Sequence, residues 1–194
     1  MSEFTATRRT RCDAVANRER ILAATARLVA RADADVPLEE IARHAGIGIA
    51  TLYRHFPNRT GLLRTVALDL LTATACEAGA ARAVGPDAFT ALANYLHTSI
   101  DRDLGAAGPA LAALPPDQEL DAARAAAVEA TDALVAAAHQ AGSLRQDVTA
   151  TDVGLLALRC ARPLPGEATD RGPGHRHLDL LLDGLHTAVP CPAP

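Results

Sequence analysis

Apolar positions recur at helical spacing along most of the chain. Ile21, Ala24, Leu28 and Val29 mark one face of a first helix, which Asp13 can cap and which runs to about Ala32. Asp33–Val36 breaks it. Pro37 suits the first turn of a short second helix, Leu38–Ala45, whose Glu39 and Glu40 sit where the helix dipole favours carboxylates. Gly46-Ile47-Gly48 reads as a tight turn into a third short helix, about Ile49–Phe56, ended by Pro57. Two short helices joined by a three-residue turn containing glycine form a helix-turn-helix unit. It spans about residues 37–56, with Ile41, Ala45, Ile47 and Leu52 as its small core. Asn58 caps a fourth helix to about Ala83, and Asp87–Leu104 follows after Gly85-Pro86. Gly105–Pro116 reads as a loop with at most a short helix, about Pro109–Leu114. Asp117–Ala141 is a long Ala-rich helix stopped by Gly142. Thr149 and Asp152 resemble a capping box opening a helix to about Arg162, and His175–Ala188 is the last helix.

Composition supports the same picture. Among 194 residues there are 44 Ala and 26 Leu against 10 Val and 5 Ile, with 3 Phe, 2 Tyr and no Trp. Ala and Leu favour helices, whereas Val, Ile and aromatics favour strands. The expected fold class is all-α, about nine helices in all. It divides into an arm (1–12), a three-helix head (13–66), a larger helical domain (67–189) and a tail (190–194). No apolar run approaches the roughly 18–20 residues of a membrane span, and no secretory pattern opens the chain, so a soluble, cytoplasmic protein is expected. Cys12, Cys76, Cys160 and Cys191 lack metal-ligand or redox spacing and read as buried small residues plus a tail thiol. Net charge is −4, but it is unevenly spread. Residues 1–64 carry 11 Arg and 7 acids; the remainder carries 8 Arg and 16 acids. A basic head on an acidic body is the asymmetry of a chain with one end on phosphate.

The run from Ile41 to Arg59, above all Thr51-Leu52-Tyr53-Arg54-His55-Phe56-Pro57, resembles the DNA-binding domain of the TetR family of bacterial transcriptional regulators. The resemblance extends over about Asn17–Val66. Ala141–Val148 is similar to a turn that recurs between the seventh and eighth helices of that family. By resemblance, Thr51, Tyr53, His55 and Arg59 match positions that contact the DNA backbone, and Ile49 and Ala50 match positions that face bases. The chemistry agrees: short side chains open the recognition helix, and hydroxyl, imidazole and guanidinium donors flank it. Ile49 can touch a thymine methyl but reads no hydrogen-bond pattern, so Arg43, Arg54, the arm arginines Arg8, Arg9 and Arg11, or DNA shape would supplement it. Gly48 stands where the family usually has a Ser or Thr cap.

The resemblance implies that the C-terminal domain binds a small-molecule effector and dimerises. Candidate effector contacts are Cys76, Tyr95, Thr98, His139 and Arg159. The last two helices carry apolar residues on more than one face, and Val153, Leu156, Cys160, Leu178, Leu181, Leu182 and Leu185 are the expected dimer interface. His175, His177 and Asp179 invite a metal reading, but no further ligand is identifiable and a solvated helix start is expected. No catalytic constellation, cofactor motif or metal motif stands out. The expected function is a homodimeric, ligand-responsive regulator, by default a repressor bound to a palindromic double-stranded DNA operator. The rivals are a small-molecule binding protein of the same fold with a decayed DNA-binding head, and an enzyme built on a helical bundle.

Overall fold

The computed structural model describes residues 2–32, 36–102, 114–161 and 172–187. Within them the chain forms eight helices: α1 (Ser2–Ala32), α2 (Leu38–His44), α3 (Ile49–His55), α4 (Arg59–Val84), α5 (Ala88–Asp101), α6 (Gln118–Gln140), α7 (Ala150–Ala161) and α8 (Gly172–Leu185). The short helix expected near Pro109–Leu114 lies outside the described residues, save Leu114.

Side-chain caps set four of the eight helix starts. The Asn58 side chain accepts from Gly61 N at 2.8 Å, and Asp87 accepts from Thr90 N at 2.8 Å. Asp117 accepts from both Glu119 N and Leu120 N. Thr149 and Asp152 form the reciprocal box, each side chain accepting from the other's backbone N–H. Each cap satisfies donors that a helix start leaves orphaned.

Two ends differ from expectation. Helix α1 begins at Ser2, so residues 2–12 extend the helix and form no separate arm. No Gly or Pro interrupts this stretch, so nothing local stops the helix from running through it. Helix α8 begins at Gly172 and stops at Leu185, not Ala188. There the backbone leaves the helix to pair with the turn before α7. Leu144 and His186 form an isolated antiparallel bridge, Arg145 N donates to Leu185 O at 3.1 Å, and Thr187 N donates to Ser143 O at 3.1 Å.

Helix α4 joins the two halves. Its Leu62 and Val66 enter the head core with Ile21, Ile41, Leu52 and Phe56. Its Leu63 and Ala67 pack with Val29 of α1 and Leu120 of α6, and Ala78 reaches the C-terminal core. That core is built around α5, whose Leu92, Tyr95, Leu96 and Ile100 are buried against α6, α7 and α8. The placement of α5 corrects the interface expectation. Val153 and Leu178 are 0% exposed, and Cys160 and Leu182 are also buried, all within the subunit's own core. They belong to the same buried cluster as the α5 residues and keep little or no surface for a partner. Leu156, Leu181 and Leu185 are half-buried, and the exposed apolar residues beside them are Leu155 and Leu180.

Candidate nucleic-acid interface

Helix α3 has one face in the head and one face out. Leu52 (0% exposed) and Phe56 (6%) anchor it, while Tyr53 is 46% exposed despite its large ring. Ala50 and Arg54 are exposed beside it; Ile49, Thr51 and His55 are half-buried. The Arg54 guanidinium donates to the Thr51 hydroxyl at 3.3 Å, a weak tether that leaves its other donors free for an anion. The turn before α3 depends on Gly46, whose φ is +66°, in the left-handed region that favours glycine. There Gly46 N donates to Arg43 O at 3.2 Å and Ile47 N donates to Ala42 O at 3.0 Å, closing α2 and setting the angle at which α3 leaves.

Other charges gather around the same surface. Arg43 pairs with Glu40 at 3.4 Å, and His44 Nδ1–H donates to Glu40 O at 3.0 Å, so neither is wholly free. Arg18 of α1 stacks over the Phe56 ring, with its guanidinium carbon 5.0 Å from the centroid. Arg20 donates to Asn17. Sequence reasoning missed Arg18 because only the fold brings α1 onto the end of α3. The side chains of Arg8, Arg9 and Arg11 lie outside the described residues.

Arg59 departs from expectation. Its Nη1 donates to the Val36 carbonyl between α1 and α2, and its Nη2 is buried with no partner among the described residues. The side chain therefore turns inward, tying the start of α4 to the segment before α2, and does not project with Tyr53 and Arg54. The start of α4 lies close enough to that segment for the Val36 carbonyl to accept from Arg59.

One turn further on, Arg64 reaches the C-terminal domain. Its Nε and Nη2 donate to Asp117 at 2.6 and 3.0 Å, and Nη2 also donates to Glu119 at 2.6 Å. This bidentate contact holds the Asp117 carboxyl down at about 2, with the α6 backbone donors adding to the effect. The same carboxylates push the Arg64 guanidinium up. No sequence spacing signals a pair separated by 53 residues.

The effector candidates are scattered. Cys76 is exposed, against expectation, and lines an open groove of ≈ 820 Å³ between α1, α4 and α6 with Arg18, Arg64, Asp69 and Glu119. None of the other four candidates lines that groove. Tyr95 is buried with its hydroxyl 3.4 Å from Thr131 Oγ1. Thr98 is half-buried on α5, and Arg159 is exposed on α7. His139 Nε2–H donates to Arg145 O at 3.0 Å and pins the turn after α6. A smaller cleft of ≈ 250 Å³ lies between α1 and α4, lined by Leu22, Ala26, Val66, Leu70 and Arg102 among others. His177 and Asp179 are exposed, as expected of a solvated helix start, while His175 is half-buried; His175 also meets His97 and Asp101 of α5, and Asp179 meets His97. Among the described residues no three His, Cys, Asp or Glu side chains form a group that could hold a metal ion. No helix among them is long and apolar enough to cross a membrane.

A three-helix head with an exposed recognition helix, joined through one long helix to a separate helical domain, defines a helix-turn-helix transcriptional regulator. Residues 21–66 match the family model of the bacterial regulatory proteins of the tetR family, and residues 87–187 match the C-terminal domain of SbtR-like transcriptional regulators. The chain belongs to the TetR family of DNA-binding transcriptional regulators. It is 32% identical to a TetR transcriptional regulator from Streptomyces coelicolor, covering 89% of this chain and 99% of that one with a TM-score of 0.59. It is 28% identical to a TetR regulatory protein from Mycobacterium vanbaalenii, covering 92% and 99% with a TM-score of 0.61. The fold is shared with a ketosteroid transcriptional regulator of Mycobacterium tuberculosis at 17% identity, covering 88% and 95% with a TM-score of 0.61. A comparison with curated proteins gives no match.

Proposed function

We propose that the protein is a homodimeric, ligand-responsive transcriptional repressor that binds a palindromic operator and is released by a small molecule. The observation that carries the reading is the outer face of α3: Ala50, Tyr53 and Arg54 stand exposed on a helix anchored in the head core by Leu52 and Phe56. In this reading Ile49 and Ala50 approach base edges, and Thr51, Tyr53, Arg54 and His55 contact phosphates. Arg59 acts differently, bracing α4 against the segment before α2. Two copies of the head then read two half-sites one helical turn or a multiple apart.

Self-association through α7 and α8 is supported by their outward residues. Leu155 is 49% and Leu180 is 66% exposed, and added side chains at Gly154 and Gly184 would meet nothing within 4 Å. Leucines beside bare glycine backbone suit a closely packed symmetric interface. Effector control is supported by the groove beside Cys76, since one of its walls is α4, the helix that joins the head to the body. A molecule wedged there would shift α4 against α6 and change the separation of the two heads.

The test is fluorescence anisotropy with the DNA upstream of the protein's own gene, alongside a scrambled duplex of equal length. Saturable binding at two protomers per operator, with at least 10³-fold preference over the scrambled duplex at physiological salt, supports the reading. Equal affinity for both duplexes overturns it in favour of a binding protein whose head has decayed.

A further inference from the structure

Four titratable side chains outside the DNA-binding surface join α5 to α8. His175 Nε2 lies 2.9 Å from Asp101 Oδ1, His97 Nε2 lies 3.1 Å from Asp179 Oδ1, and the two Nδ1 atoms lie 2.7 Å apart. Both helices carry the same spacing, His97-x-x-x-Asp101 and His175-x-x-x-Asp179, so each histidine meets the aspartate of the opposite helix. The ring planes are 17° apart with centroids 5.0 Å apart, which with so short a nitrogen contact makes the rings nearly coplanar and edge to edge.

The geometry fixes a proton count. An ionised carboxylate only accepts, so each Nε2 carries a hydrogen. The Nδ1 pair is then in contact through its lone pairs, and a nitrogen–nitrogen contact of this length is attractive only when one of the two is protonated. With no proton, two lone pairs oppose each other. With two protons, two N–H groups do. We propose that His97 and His175 share a single proton and form a proton-gated clasp holding the first turns of α8 on the last turns of α5. Unlike an ordinary His–Asp pair, the clasp is strongest at one intermediate degree of protonation and loosens on both sides of it.

The surroundings favour this assignment. The side chains of His97 and His175 are 31% and 27% exposed, open enough to exchange protons with solvent. From α4, Glu77 is occupied by Arg102 at 2.9 Å. From α6, the face against α5 is the uncharged Thr131, Leu134, Val135 and Ala138. From α7, Asp152 and Arg159 are exposed, and the buried Cys160 has its thiol pushed up by burial and kept neutral; its carbonyl lies so near Gly174 that a Cβ there would sit 2.6 Å away. On α8 itself Arg176 and His177 are exposed. The two aspartates are therefore the only counter-charges among the described residues that hydrogen-bond to the pair. Since α8 also carries Leu180, Leu181 and Leu185, the clasp would make self-association depend on pH. That consequence rests on the proposed dimer; the clasp does not.

The test uses the full chain. Long-range proton–nitrogen correlation NMR of the imidazoles reads the tautomers directly. Expected are two protonated Nε2 atoms and one proton between the two Nδ1 atoms; a ring with a bare Nε2 overturns the proposal. A double-mutant cycle with His97→Leu and His175→Leu, read by urea unfolding at a series of pH values, cancels the other histidines. Coupling should reach about fivefold in the unfolding equilibrium at its maximum and fall toward onefold at both lower and higher pH. Coupling that is flat or changes in one direction only overturns it, as does stoichiometric Zn²⁺ uptake lost in both variants, which would make the occupant a metal. His177→Leu should leave the profile unchanged. The assembly consequence is read separately by light scattering across the same pH series.

Discussion

Replacing Gly46 by Ala isolates the backbone term in the helix-turn-helix turn. A Cβ added at Gly46 would meet only Arg20 Nη1 at 3.9 Å, an ordinary contact, so no clash contributes. What remains is φ of +66°, where an L-residue costs roughly 1–2 kcal/mol. Loss of glycine freedom in the unfolded chain offsets about 0.4–1 kcal/mol of that. The net loss is therefore about 1 kcal/mol, or about 2–4 °C in Tm for a chain of this length. Gly142 is a matched control: it also has φ +66°, it also follows a helix end, and nothing lies within 4 Å of its Cβ position. Gly142→Ala should lose the same stability. The two should part in operator affinity. At Gly46 the strain relaxes by rotating α3 against α2, which tilts Tyr53 and Arg54 and should weaken operator binding about tenfold under conditions where the head stays folded. Gly46→Asn should lose less, since Asn tolerates this region. Calorimetry and anisotropy on the three variants check the scheme. Equal operator affinity for Gly46→Ala and Gly142→Ala would refute the claim that this turn aims the reading helix, and an unchanged Tm for both would refute the energetic argument.

Asp117→Asn should destabilise the joint between head and body near neutral pH. Because the folded carboxyl sits at about 2, below its ordinary 3.8, its contribution is full above about pH 4 and vanishes as pH falls toward 2, so wild type and variant should converge there in urea unfolding. A difference that persists unchanged to pH 2 would place the effect elsewhere. Leu155→Glu or Leu180→Glu should give folded monomer by light scattering and circular dichroism, whereas Leu178→Glu, at a site with no exposed surface, should prevent folding. A dimeric Leu180→Glu variant would move the interface off α8. Tyr53→Phe should weaken binding to all duplexes about equally, and Arg54→Gln should lower the salt slope by about 1 per half-site; unchanged affinity in both at several salt concentrations would mean the head docks by another face.

The helix-turn-helix and most helix starts were legible in the sequence because their causes are local. Asn58, Asp87, Asp117 and Thr149–Asp152 cap helices through side chains within three residues of the N–H groups they satisfy. Gly46 meets a turn geometry set by its own φ; Leu52 reads as core from its place in the helix-turn-helix, and the outward Tyr53 is what the family resemblance implies. The last two helices show the limit of that logic. Their apolar residues cover more than one face, and a helical pattern cannot say which face turns inward. The position of α5 decides it, drawing Val153, Cys160, Leu178 and Leu182 into the core and leaving Leu155 and Leu180 outside. The same holds for charge. Arg59 was placed by motif on a phosphate, yet α4 starts close enough to Val36 for a carbonyl to capture it. Arg64 with Asp117, and His97 with His175, are pairs separated by 53 and 78 residues. Short-range periodicity fixes which way each residue faces on its own helix; only the packing of one helix against another determines what it meets.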